Sequence, residues 1–415
     1  MHSLYRELKF ALKDRVVVIS LIGIALLSSY SLIVGLKESA AEKALIDRTK
    51  TLVTQDREYN LKKQSDAGSA AYYAFHFTYD PPSALAFVSR GVRDDLPWKH
   101  RIRMLALEGQ IYESDSGNPE LSKMGKLDFA FVAAFLLPLL SILLLYDLRA
   151  VEIRNNRWAF LSVTAGNGNR LIMGRAILRS TLLCIALLIT FLITAVIAGA
   201  NLSDTLIVVG AVVLNCMFWC ILALLVLTRI ESGPTTAALL LGFWFVIAVA
   251  IPVGGKHLVE RFVDVPSGAE LLLTQREAVN DAWDLPKQAT MRPFIDRNPE
   301  WKNTPEIAKP FEWKWYYAFH QVGDQTVAPL SDALREGVAK RDTAMNIVSA
   351  ASPTLLTHRL LTKAAKTDIE SFQRYDACVR NFHGKLKQFH YPMLFGDVKF
   401  SLTHMSKLPT YVPCP

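Results

Sequence analysis

Five long, almost uncharged apolar runs, at 16–36, 127–146, 180–199, 205–228 and 235–253, limit what this chain can fold into more than any other feature. Each has 19 to 24 residues, and at a 1.5 Å rise a helix of about 20 residues crosses the roughly 30 Å hydrocarbon layer of a bilayer. One such run would read equally well as a buried core helix, but five do not. Together they hold 104 residues and a single charge, Asp128, at the edge of the second run. The other 83 of the 84 charged side chains fall in the remaining 311 residues, an ordinary soluble surface density. The mean hydropathy of +0.22 therefore averages two phases, membrane helix and soluble protein. A soluble enzyme, a fibre and a disordered tail are excluded.

Lys and Arg in the short flanking segments predict the orientation. The first 15 residues carry Arg6, Lys9, Lys13 and Arg15; the loop 147–179 carries Arg149, Arg154, Arg157, Arg170, Arg175 and Arg179; and 229–234 adds Arg229. The short loop 200–204 on the other side has no basic residue. This places 1–15, 147–179 and 229–234 in the cytoplasm, and 37–126 and 254–415 outside. The first run exceeds the usual 7–15 residues of a signal-peptide core, so it is expected to be an uncleaved anchor. Anionic headgroups and a partner protein are the natural counter-charges for the net +8, with no need for nucleic acid.

Cys184, Cys216 and Cys220 fall within spans, where small apolar Cys is ordinary packing. Cys378 and Cys414 are both outside, 36 positions apart, where an oxidising compartment could join them; spacing alone does not set the geometry. The span interiors offer Asn215, hydroxyls and Pro138 but no ionisable relay, which argues against an ion gradient as energy source. There is no phosphate-binding G-x-x-x-x-G-K-[ST] loop, no His-Glu-x-x-His and no G-x-S-x-G. No nucleotide hydrolysis, catalytic residue or metal site is expected in this chain, and any energy for transport must come from another polypeptide.

After the second run the chain reads DLRAVEIRNNRWAFLSVTAGNGNRLIMGRAILRS. Its first half is predicted to form one amphipathic surface helix over 149–164, with Val151, Trp158, Phe160 and Leu161 toward lipid and Arg149, Glu152, Arg154 and Arg157 exposed. Gly166, Gly168 and the asparagines between them then turn the chain into the third span. A basic loop that merely fixes topology is the plainer alternative.

This pattern resembles the loop of ABC-2-type transporter permeases, which runs approximately E-R-E-x-G-T-x-x-x-L-L-S-x-P-x-S-R-x-x-x-x-G-K. Glu152 and Arg154 fall on its acidic and basic positions, Leu161-Ser162 on the helix end, Arg170 on its arginine and Gly174-Arg175 on the final pair. Asn156 stands in place of the glycine, and Ala165-Gly166 in place of the proline turn. Stretches 79–97, 118–132, 315–330, 351–368 and the closing FHYPMLFGD are similar to one subgroup, whose members carry an extracytoplasmic domain of unknown function after the fifth span.

The resemblance implies a polytopic α-helical permease of the type V exporter kind in a bacterial inner membrane. It implies two permease chains, identical or homologous, and a separate ATPase dimer holding ATP and Mg. Glu152, Arg154, Arg157, Trp158 and Arg170 would carry the coupling. The family's usual plan has six spans, yet 384–415 contains no spanning run. A dispensable sixth helix, a compensating partner and a lost span remain open.

The two outside segments together suffice for one mixed, mainly helical domain. Residues 37–74 are expected to extend the first span as uninterrupted helix, and 79–110 to contain strands. Pro286–Pro310 is expected as irregular loop, and 326–350 and 354–390 as two helices. The aromatic run 311–320 reads either as an interfacial belt or as a surface on which Trp313, Trp315 and Tyr316 meet a substrate, a periplasmic or substrate-binding partner, or another subunit. The rival to a permease is a membrane-anchored periplasmic scaffold or sensor. An enzyme is disfavoured, because no nucleophile, metal cluster or carboxylate pair stands out.

Overall fold

The computed structural model describes residues 2–112, 127–164 and 166–414. Positions 118–126 of the 118–132 stretch, and Ala165 of the expected turn, lie outside the described residues. Five helices are long and apolar enough to cross a membrane, over 15–61, 129–154, 168–197, 202–227 and 233–262, and each carries one of the apolar runs.

The chain opens with α1 (His2–Ala11) and α2 (Arg15–Leu61). Asp14 caps α2 by accepting from Val16 N at 3.0 Å. α2 extends well past its apolar part but ends at Leu61, and the chain becomes helical again only at α3 (Ala67–Tyr73). The expected continuous helix to residue 74 is therefore broken. Strands β1 (His76–Tyr79) and β2 (Lys99–Ile102) pair antiparallel, His76 opposite Ile102. Between them 84–90 dips into the helix bundle: Leu85, Phe87 and Val88 are buried among α2 and the second and third spans. Gly35 is required there, because a Cβ would lie 2.3 Å from Phe87 O.

A short α4 (Leu107–Ile111) precedes the second span, α5 (129–145). Asp128, the single charge in the five runs, caps it by accepting from Phe131 N at 2.8 Å and from Ser89 Oγ at 2.8 Å. At the far end come α6 (Ala150–Arg154) and α7 (Trp158–Thr164). The remaining spans are α8 (Gly168–Ile197), α9 (Leu202–Leu227) and α10 (233–262). The folded domain at the opposite end of the bundle contains α11 (Gly268–Asp284), α12 (Lys287–Arg297), α13 (Trp313–Ala350), α14 (Pro353–Ala364), α15 (Ile369–Leu394) and α16 (Leu402–Met405).

Three expectations for this domain are corrected. Pro286–Pro310 contains helix α12, which accommodates Pro293. The helix expected at 326–350 starts at Trp313 and runs through Pro329. The helix expected at 354–390 is two, broken where Lys366 takes φ of 54°.

Candidate functional site

Two junctions stand out, one at each end of the bundle. At the loop end, the expected single helix 149–164 is instead α6 and α7 set at an angle. α6 ends in a Schellman motif, with Arg157 N donating to Glu152 O and Asn156 N to Ile153 O, each at 2.9 Å. Asn156 occupies the left-handed position with φ of 57°. Asn tolerates that conformation better than other non-glycine residues.

Glu152 is the centre of this junction. It is buried, not exposed as the helical pattern suggested, and binds Arg175 Nη1 at 2.7 Å and Arg157 Nε at 2.9 Å. Arg175 also reaches Glu7 of α1 at 2.9 Å. Arg179 bonds Asp14 at 2.9 Å and Leu144 O at 2.9 Å, joining the start of α2 to the end of α5. Arg149 donates to Thr228 O at 2.8 Å and pairs with Glu231 at 3.0 Å, tying the loop to the end of α9. Cations at helix C-termini complement the macrodipole as well as the free carbonyls.

Trp158 is half-buried. It lies under the Arg149 guanidinium, 5.0 Å from ring centroid to carbon, and against Gly168, where a Cβ would lie 2.8 Å from its ring. Arg154 is exposed and pairs with Asp147 at 2.9 Å, and Arg170 is exposed in the first turn of α8. α7 buries none of its residues and presents Phe160 and Val163, 70% and 82% exposed. Sequence reasoning missed Glu7, Asp14, Arg175 and Arg179 as members of this network, although Arg175 and Arg179 had been counted for topology.

At the domain end, α14 is wedged among α9, α13 and the upper turns of α5 and α10. Its Leu361 and Ala364, with the following Ala365, belong to the bundle's own core. Both α5 and α10 contain a π-turn here, Val132–Leu136 and Val246–Ala250. Each is followed by a proline, Pro138 and Pro252, which cannot donate back into the helix. The carbonyls five residues before those prolines, of Ala133 and Ile247, find side-chain donors instead. Asn215 Nδ2 donates to Ala133 O at 3.0 Å and to Ala134 O at 3.4 Å. Ser352 Oγ, the N-cap of α14, donates to Ile247 O at 2.6 Å.

In the domain itself the aromatic run contributes Trp315, Tyr317 and Phe319 to the core and leaves Trp313 and Tyr316 half-buried and Phe311 exposed. Trp315 is 3% exposed, with Nε1 donating to Thr290 Oγ1 at 2.7 Å; Tyr317 and Phe319 are buried beside it. Trp313 and Tyr316 are half-buried, packed on Tyr72 and on each other. Cys378 and Cys414 form a disulfide, Cα–Cα 6.2 Å, that fastens the chain's last described residues to α15. Burial drives the imidazole pKa of His76, His320 and His390 down to about 3, and that of His100 to about 4 against the opposing pull of Asp376.

Residues 269–413, roughly a third of the chain and most of this domain, match the model of a family described as Domain of unknown function (DUF3526). No curated protein and no solved structure matches the chain.

Proposed function

We propose that the chain is the membrane-spanning permease of an ATP-driven exporter or extrusion machine of the ABC-2 type. In this reading it works with a second permease chain in the bacterial inner membrane. ATP and Mg sit on a separate ATPase dimer. The loop end faces the cytoplasm, and the disulfide-bearing domain lies in the oxidising periplasm, consistent with where disulfides persist.

One observation carries the reading. α7 exposes Phe160 and Val163 at the tip of a short loop, while ion pairs through Glu152, Arg149 and Arg175 fasten that loop to α8, to Glu231 just past α9, and to α1. A docking helix held this way passes a push on to the spans, whereas a topology-fixing loop needs neither an exposed apolar tip nor a buried anchor. Closure of the ATPase pair on ATP would move α7 and, through α6, tilt α5 and α8.

The test is whether a P-loop ATPase is encoded beside this chain and co-purifies with it. Phe160→Asp with Val163→Asp, and separately Arg154→Glu with Arg157→Glu, are expected to release the ATPase and leave the permease folded. A complex that survives both pairs rejects the coupling assignment. A wild-type chain that recruits no ATPase returns the scaffold reading.

A further inference from the structure

The chain contains three Schellman motifs whose left-handed residue can be compared directly. Gly199 ends α8 with φ of 66°, Asn156 ends α6 with 57°, and Lys366 ends α14 with 54°. In the third, Thr367 N donates to Thr362 O at 3.0 Å and Lys366 N to Lys363 O at 3.1 Å. Glycine is the usual residue at this position and asparagine an accepted substitute; a long side chain is strained there. The turn itself is needed, because Thr367 O accepts from Val92 N at 2.8 Å. The lysine is not needed for the turn.

The side chain at 366 lines a cavity of about 260 Å³ whose walls are Tyr79, Pro81, Pro82, Tyr411 and the Cys378–Cys414 disulfide. Tyr79 and Tyr411 meet edge to face, with centroids 5.7 Å apart. Arg374 lines it too, with Nη2 on Ser371 Oγ at 2.8 Å. The one carboxylate in the lining, Asp80, is already taken by Arg93 at 2.5 Å. Lys366 has no ion-pair partner among the described residues. Two exposed cations, Lys366 and Arg374, therefore stand at the mouth of this space, with Asp80, which also serves Arg93, as the one carboxylate in its lining.

The geometry points to this cavity as a binding site for a phosphate-bearing anion, held by Lys366 and Arg374. At about 260 Å³ it falls below the roughly 300–1,000 Å³ of sites that engulf a drug-sized ligand. It therefore takes a headgroup and leaves the rest of an amphiphile outside. It also sits where the domain meets the bundle: Ser83 in its lining donates to Ala365 O at 2.6 Å, and Ala365 packs in the bundle core. A free phosphate and an anionic lipid headgroup share the required chemistry. Nothing in this site depends on the ATPase coupling proposed above.

The test uses the full chain. Inorganic phosphate is titrated in detergent against a chloride control of equal ionic strength, and thermal stability is compared in nanodiscs of phosphatidylglycerol and of phosphatidylcholine. Saturable stabilisation by phosphate identifies a free anion. Stabilisation by phosphatidylglycerol alone identifies the headgroup. In either case Lys366→Gly and Arg374→Gln are expected to weaken the effect about tenfold or more, the loss of one charge-assisted contact. Lys366→Gly should also melt a few degrees above wild type without ligand, because it relieves the left-handed backbone. Arg374→Gln leaves that backbone untouched, so it reads binding even if position 366 proves sensitive. Wild type that responds to neither source, or two variants that respond like wild type, overturns the site.

Discussion

Glu152 shows how far a single carboxylate can organise a membrane protein's end face. Its side chain is 10% exposed and serves two arginines of very different exposure, Arg175 at 21% and Arg157 at 57%. A buried partner loses more than a solvated one when a pair is broken, because the remaining charge has no water to fall back on. Glu152→Gln is therefore expected to lower stability by about 2 kcal/mol, and Arg157→Gln by less than about 1 kcal/mol. Thermal melts of the two variants in detergent check the ranking; equal losses would remove Glu152 from the centre of the network. The residue was legible in the sequence only as a motif position, and its exposure was misread. Helical periodicity places side chains on a face of one helix, and it does not foresee that the backbone breaks at Asn156 and folds that face onto α8. Asp128, noted in the sequence only as a charge at the edge of the second run, proves to be the N-cap of α5, where a lone acid before an apolar helix belongs.

At the level of elements, each π-turn is a consequence of its proline and each proline has a designated donor. Asn215 is 1% exposed and replaces the hydrogen bond that Pro138 cannot make. Asn215→Leu leaves Ala133 O unsatisfied in a region without water, at an expected cost of about 1–3 kcal/mol, measured as a shift in thermal midpoint. An unchanged midpoint would mean the carbonyl finds another partner. The apolar runs were readable because length and the absence of charge decide a span almost alone. The elements of the domain were read less well, because tertiary contacts override local signals there. Pro293 sits inside α12, and the aromatic run joins a core that includes Phe294 and Tyr391, with the exposed Trp283 packed on Trp315 at its edge. Five histidines in that domain, the buried His76, His383 and His390 and the half-buried His100 and His320, have pKa values depressed by desolvation. The unfolded chain takes up their protons below about pH 6.5 while the native domain does not, so the native state loses stability as pH falls. Each contributes up to about 1.4 kcal/mol per pH unit in that window. Asp324, raised to about 6 by burial beside Lys387, has the opposite sign: its contribution is present at low pH and lost as pH rises through about 6. One group does not offset five. The melting temperature of the full chain should be flat above pH 6.5 and fall steeply below it; a profile flat down to pH 4.5 would contradict the neutral, buried assignment.

For the whole molecule the decisive question is whether the two ends of the bundle move together. The loop end is fastened to α2, α5, α8 and α9 by Arg179, Glu152 and Arg149. At the other end α14 belongs to the domain by connectivity and to the bundle by packing, gripping α10 through Ser352 and facing α5, where Phe135 and His358 lie with ring centroids 6.2 Å apart. A tilt of α5 or α10 must therefore displace α14 or break its contacts. Close-packed interfaces favour the first, because they shift between discrete arrangements more readily than they deform. A thiol pair at Phe135→Cys and His358→Cys, bridged by a short bismaleimide, should therefore hold α14 to the second span in one arrangement. The native Cys184, Cys216 and Cys220 are buried and Cys378 is bonded to Cys414, so the single-cysteine variants serve as controls for stray labelling. If the proposed function holds and the ends are coupled, the bridged chain still binds an ATPase partner but no longer supports the wild-type rate of ATP turnover, and cleavage of a reducible version of the bridge restores it. Turnover that is unaffected by the bridge would mean that the ATPase-driven motion stops short of α14, leaving the domain a fixture on the bundle instead of its output.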